Sequence, residues 1–186
     1  MITLKSAHEI ELMRRAGKIT AAARALAGEM VKPGVTTQEI NDEVERFIRK
    51  NHAVPSFLHY QGYPASVCIS VNDEVIHGIP GKRVLKEGDI VSVDVGAYIG
   101  GFHGDCAATF ACGHIPAEAQ SLIDATRQSF FEGIRQARVG NRVGDISAAV
   151  QAYAESHGYA IVREYVGHGV GADMHEAPEI PNYGHP

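Results

Sequence analysis

Residues 34–48, GVTTQEINDEVERFI, and residues 140–154, GNRVGDISAAVQAYA, carry one pattern. Gly34 pairs with Gly140, Ile40 with Ile146, Val44 with Val150 and Phe47 with Tyr153, all at an offset of 106 residues. Each stretch reads as a glycine break followed by an amphipathic helix with one apolar face. Amphipathic helices share such spacing by chance easily enough, but here the surroundings are shared too. A long helix, a glycine-containing break and a shorter helix precede a strand region in both places, which favours an internal repeat of a helix-helix-strand unit. The same offset applied to Asp94 and Asp105 points beyond Pro186, so the second unit is expected to stop before its matching hairpin and the chain to be cut short.

The flanking elements follow from local signals. Ser6 with Glu9 forms a capping box, and Ile10, Met13, Ile19 and Leu26 carry a long helix until Lys32-Pro33-Gly34 stops it. Thr36 and Glu39 repeat the signature for the second helix. The period then changes to two, predicting strands near 66–71, 90–98 and 102–111, before Pro116 opens another long helix to about Arg138.

Composition narrows the class. With 186 residues and 45% hydrophobic content the chain can bury one good core, as one domain or one and a half. A net charge of -5 without a Lys/Arg run argues against nucleic acid or an anionic membrane as partner. No apolar run approaches the roughly 18 residues of a membrane span, and the N-terminus, MITLKSAHEIELMRRAGK, is too charged for a signal peptide. Cys68, Cys106 and Cys112 are odd in number and lack zinc-ribbon spacing, which fits reduced thiols and a cytoplasmic location.

The chemistry concentrates in residues 90–110, IVSVDVGAYIGGFHGDCAATF. Val91, Val93 and Val95 alternate with Ser92, Asp94 and Gly96, placing Asp94 on the face opposite the valines. A turn centred on Ile99-Gly100, two or four residues long, sets Asp94 directly across from Asp105, whereas a three-residue turn shifts the register by one. Directly opposed carboxylates repel. They share a proton, face solvent or bind a cation, and the small residues around Asp105 together with histidines elsewhere favour a divalent cation. Of those histidines, His168 lies between Gly167 and Gly169, flanks that make helix and regular strand costly and allow close approach of a ligand. His175 follows beyond a glycine break, and His77 precedes a turn forced by Gly78 and Pro80. Imidazole with two carboxylates suits Mn, Fe, Co or Zn.

Three motifs, GYPASVCISVNDEVIHGIP (62–80), GDIVSVDVGAYIGGFHGD (88–105) and REYVGHGVGADMHEAP (163–178), closely resemble the bacterial type I methionine aminopeptidases. The resemblance runs from Ser6 to about Pro181. It implies an α/β (α+β) pita-bread fold of two related halves around a dinuclear centre, with residues 1–186 a single catalytic domain, the first repeat about 6–112 and the second about 116–186 lacking its last strands. It assigns Asp94, Asp105 and His168 to the metal, and His77 and His175 to the substrate and the tetrahedral intermediate. The methionine pocket maps onto Tyr60, Tyr63 and Cys68, with Phe57 and Met174 beside them. The family's two glutamate ligands have no counterpart here, since Glu176 and Glu179 lie in a different local motif, leaving three of five ligands for two divalent ions.

The implied reaction is metal-assisted hydrolysis of the first peptide bond of a peptide or nascent chain, with the ribosome as a candidate setting, activity impaired in this chain and self-association through an open sheet edge. Two alternatives stand beside it. One is an Xaa-Pro aminopeptidase-like hydrolase, disfavoured by HGIP and the Tyr60, Tyr63 and Cys68 pocket. The other is a noncatalytic pita-bread binding module or inactive fragment.

Overall fold

A computed structural model describes residues 2–186. Contacts divide the chain into two compact units. One contains Leu4–Pro116 and Val170–Met174, the other Ala117–Gly169 and His175–Pro186. Among the described residues no helix is long and apolar enough to cross a membrane.

In the first unit, α1 (Ala7–Met30) and α2 (Thr37–Lys50) both begin at the capping boxes read from the sequence. The Ser6 hydroxyl accepts from the Glu9 amide while Glu9 accepts from the Ser6 amide, and Thr36 and Glu39 do the same. Such reciprocal bonds satisfy helix-end amides that have no intrahelical partner. Four strands follow: β1 (Val54–Pro55), β2 (Val67–Val71), β3 (Ile90–Ile99) and β4 (Phe102–Ala111). All pairings are antiparallel and β3 is the hub, with β4 along one edge and β1 and β2 sharing the other. Val91, Val93 and Val95 are fully buried beneath the helices with Ile40, Val44 and Ile48 of α2.

α1 buries its small residues most deeply, with larger ones such as Ile19 and Met30 only partly buried beside them. Ala16, Thr20, Ala23 and Ala27 are buried, whereas Ile10 is 46% exposed. The reason lies on β4. A Cβ on Gly104 would stand 2.6 Å from Thr20 Oγ1 and 2.8 Å from the Ala16 backbone, so helix and strand touch almost backbone to backbone and only small residues fit.

The register of the β3–β4 hairpin corrects the sequence expectation. Ile99 pairs with Phe102 around a two-residue turn, Gly100-Gly101, both with positive φ (64° and 89°). Paired left-handed residues suit the two-residue turn whose twist matches the strands, and glycine adopts them without a Cβ penalty. The turn therefore lies one residue later than expected. Asp94 faces Ala107, and Asp105 faces Gly96. The slip is by an even number of residues, so both aspartates keep the face opposite the valines but sit diagonally rather than directly across.

In the second unit, α3 (Ala117–Ile134) packs on α4 (Val143–Ser156), where a Cβ on Gly133 would stand 2.7 Å from Val150 Cγ2. α2 and α4 have equal length, 14 residues, and their ends lie at the 106-residue offset of the sequence match. Gly34 and Gly140 both adopt left-handed φ, 93° and 96°. Helix α3 ends at Ile134, short of the expected Arg138. Two short antiparallel strands complete this unit, β5 (Gly167–Gly169) and β6 (Glu176–Ile180). The glycines around His168 thus permit a strand, one carrying a register shift between His168 and Gly169.

The α1–β4 contact yields a paired test. Gly104→Ala should lower stability by about 1–3 kcal/mol through overpacking. Gly17→Ala, at a helix position with nothing within 4 Å of the added methyl, should raise it by about 0.5–1 kcal/mol. Urea unfolding of the two variants checks both signs.

Candidate active site

Strand β3 brings together a carboxylate, a thiol and a second carboxylate on one face of the first unit. Asp94 lies directly opposite Cys68 on β2, and Asp105 approaches it diagonally from β4. Burial, followed by the charge of Asp94 and a hydrogen bond with it, pushes Asp105 from its ordinary value of 3.8 up to about 8. At neutral pH the two side chains therefore share a proton, which is how like charges settle when nothing else neutralises them. The same charges act on their neighbours. Cys68 is pushed up to about 11, first by burial and then by Asp94 and Asp105. Tyr63 is raised by burial, by its hydrogen bond with Cys68 and by the charges of Cys68 and Asp94.

Beside the carboxylates a small apolar cluster forms. Phe57, Cys68 and Met174 are buried, with Tyr60 and Tyr63 packed against them. Phe57 enters because Gly96 has no side chain, the place of its Cβ lying 2.6 Å from the Phe57 ring and 2.8 Å from the Ser56 Cβ. Tyr63 points its hydroxyl at the carbonyls of Val67 and Gly78, at 3.1 and 3.0 Å. The Gly78 carbonyl also accepts from the Ile69 amide at 2.8 Å. Residue 78 is thereby tied to β2, and His77 before it is exposed with a left-handed φ of 59°, uncommon for any residue but glycine.

In the second unit the rings of His168 and His175 lie with centroids 4.2 Å apart and planes tilted by 42°. His168 Nδ1 lies 2.8 Å from the carbonyl oxygen of Gly169. A carbonyl only accepts, so Nδ1 carries the proton and the lone pair of the neutral ring is on Nε2, the form in which imidazole ligates metals. Glu179 lies opposite His168 and Glu176 opposite Gly169.

Among the described residues no three His, Cys, Asp or Glu side chains form a group able to hold a metal ion. The donor types nevertheless fit one. A half-buried pair of carboxylates that must otherwise share a proton gains from a divalent cation, and His168 presents the appropriate tautomer. The sequence reading does not single out His103 or Ser56, although the period-two spacing from His103 to Asp105 is the signal that puts that histidine on the carboxylate face. Its Nδ1 lies 2.8 Å from Ser56 Oγ.

Residues 11–186 match the model of metallopeptidase family M24. The chain belongs to that family. It is 55% identical over its whole length to a methionine aminopeptidase of Clostridium acetobutylicum, covering 75% of that protein. The crystal structure of methionine aminopeptidase from Thermotoga maritima superposes with a TM-score of 0.98 at 43% identity, over 100% of this chain and 75% of the other. Within the family the chain stands with the bacterial type I methionine aminopeptidases. Its α/β architecture is the pita-bread fold, shared with a prolidase of Pyrococcus furiosus at a TM-score of 0.83 and 22% identity, over 98% of this chain and 53% of that one.

The shared proton has a measurable consequence in metal-free protein. Folded Asp105 binds a proton between its ordinary value of 3.8 and about 8, where the unfolded chain has released it. This contribution to stability is present in full below pH 3.8 and is lost as pH rises through about 8. Urea unfolding in chelator should show that decline, and Asp105→Asn should flatten it.

Proposed function

We propose that the chain removes N-terminal methionine from peptides by metal-dependent hydrolysis, with Asp94, Asp105 and His168 as metal ligands. The observation that carries this reading is the proton-sharing carboxylate pair set directly beside the Phe57, Cys68, Met174, Tyr60 and Tyr63 cluster. An unbranched thioether suits an apolar cluster of this kind, and binding the side chain there excludes water and presents the first peptide bond to the carboxylates. Bound divalent ions supply Lewis acidity and lower the pKa of water. The chain's own groups do the rest: His175 donates a hydrogen bond to the oxygen on which charge develops, and His77 holds the peptide backbone that follows the methionine.

Two ions drawn from Co, Mn, Fe or Zn fit the ligand types. Residues 1–186 act as one catalytic domain in this reading, in the cytoplasm, on nascent chains emerging from the ribosome. A two-stranded sheet such as β5–β6 also presents outer edges on which a second copy could pair.

Calorimetry with Mn or Co should show binding that Asp105→Asn weakens at least about tenfold, because the remaining carboxylate offsets less of the ion's charge and desolvation. With the metal supplied, Met-Ala peptides should be cleaved and Xaa-Pro peptides should not. His175→Ala should lower kcat about a hundredfold with little change in KM, the pattern of a group that serves the transition state. Equal metal affinity in wild type and Asp105→Asn, or preference for Xaa-Pro, would refute the assignment; light scattering of the same samples reads self-association.

A further inference from the structure

His103 lies on β4 two residues before Asp105 and on the same face, opposite Tyr98 of β3. It is joined to both segments that bring residues to the pocket. Its backbone amide donates to the carbonyl of Gly171 at 2.8 Å, which fastens Val170–Met174 along the outer edge of β4. Its imidazole reaches across β3 to the opposite edge, where Nδ1 meets Ser56 Oγ at 2.8 Å, one residue before Phe57. Ser56 is itself 8% exposed, and its amide donates to the Gly96 carbonyl at 3.0 Å. Tyr98 packs against the imidazole with ring centroids 4.5 Å apart, which restricts its orientation.

Neither Phe57 nor Met174 sits within a strand: Phe57 follows Ser56 just past the end of β1, and Met174 lies in the segment between β5 and β6. Backbone bonds fix the two segments at Ser56 and Gly171, and the His103–Ser56 bond adds a side-chain link between β4 and the segment that carries Phe57. We propose that His103 is a positioning residue for the substrate side-chain pocket, holding the Phe57 and Met174 segments in register across β3 and β4. The proposal rests on reading the Phe57, Cys68 and Met174 cluster as the pocket for the first residue of the substrate. It assigns His103 no contact with the reacting atoms. A single residue thereby couples the pocket's width to the strand that carries Asp105, so the side-chain site and the carboxylates are aligned by the same backbone.

The test uses the full chain in chelator, with Cys68 as reporter, because Phe57 and Met174 cover it. Alkylation by iodoacetamide at mildly alkaline pH is followed peptide by peptide, with the fully buried Cys112 as internal reference. His103→Phe keeps the ring against Tyr98 but removes the bond to Ser56. It should speed alkylation of Cys68 about fivefold, the factor expected from one lost neutral hydrogen bond, and leave Cys112 unchanged. Ser56→Ala should do the same, and the double variant should do no more than either single one, since both remove one interaction. His103→Asn, whose amide can stand where Nδ1 stood, should return the rate close to wild type. Unchanged Cys68 rates in His103→Phe and Ser56→Ala would overturn the proposal, and so would an equal acceleration at Cys112, which reports general loosening. The pocket reading is tested separately: L-methionine should slow Cys68 alkylation in the wild type. If it does not, the pocket reading fails whatever the variants do, and the positioning role fails with it.

Discussion

Like charges on adjacent strands cannot both persist in a half-buried setting, and the first unit is arranged around that constraint. Asp94 and Asp105 share a face because β3 and β4 form one hairpin, and they are diagonal neighbours because the hairpin turns at Gly100-Gly101. Had the turn formed one residue earlier, the carboxylates would oppose each other directly, at the separation where repulsion is greatest. The diagonal leaves room for something between them. In the absence of a cation a proton takes that place, and Cys68 and Tyr63 hold their protons more tightly too, first because they are buried and then because negative charge stands close by.

Positioning in this unit is largely a matter of missing side chains. Gly104 lets α1 lie against the back of β4, and Gly96 lets Phe57 lie against the front of β3. The sheet is thus gripped from behind by a helix and approached from in front by an aromatic ring, both within van der Waals contact of its backbone. Small residues on α1 are the counterpart of this closeness. Larger ones would hold the helix off and leave the valine layer of β3 less well covered.

Much of the fold was legible because its signals are local. Both capping boxes, the start of α2 and the alternation along β3 depend on residues within a few positions of one another, and each was read correctly. The register of the hairpin was not, since IGGF can turn at more than one pair, and the left-handed φ of Gly101 decides the matter only once the strands twist together. That small residues form the buried centre of α1 was also hidden. Its partner, Gly104, lies far along the chain, and hydrophobicity favours Ile10 over Ala16 as a buried residue. Among the candidate site residues, the shared face of Asp94 and Asp105 was readable from period, while Cys68, Tyr63 and Phe57, which the structure packs into one cluster, were named through the motifs of the family resemblance. His103 was not, because its meaning comes from Ser56 and Gly171, which no local pattern connects to it.

The intimate contact between α1 and β4 has a bearing on how the protein is made. Ala16 and Gly104 are 88 residues apart in sequence, so at roughly 5–20 residues per second the helix waits roughly 4–18 s for the strand that will cover it. A helix with leucine or phenylalanine on its waiting face would spend that interval as a sticky surface. α1 instead offers Ala16, Thr20, Ala23 and Ala27, a face with little apolar area to attract a wrong partner. The close fit that demands small residues in the finished molecule also makes the unfinished one safer to leave uncovered during synthesis.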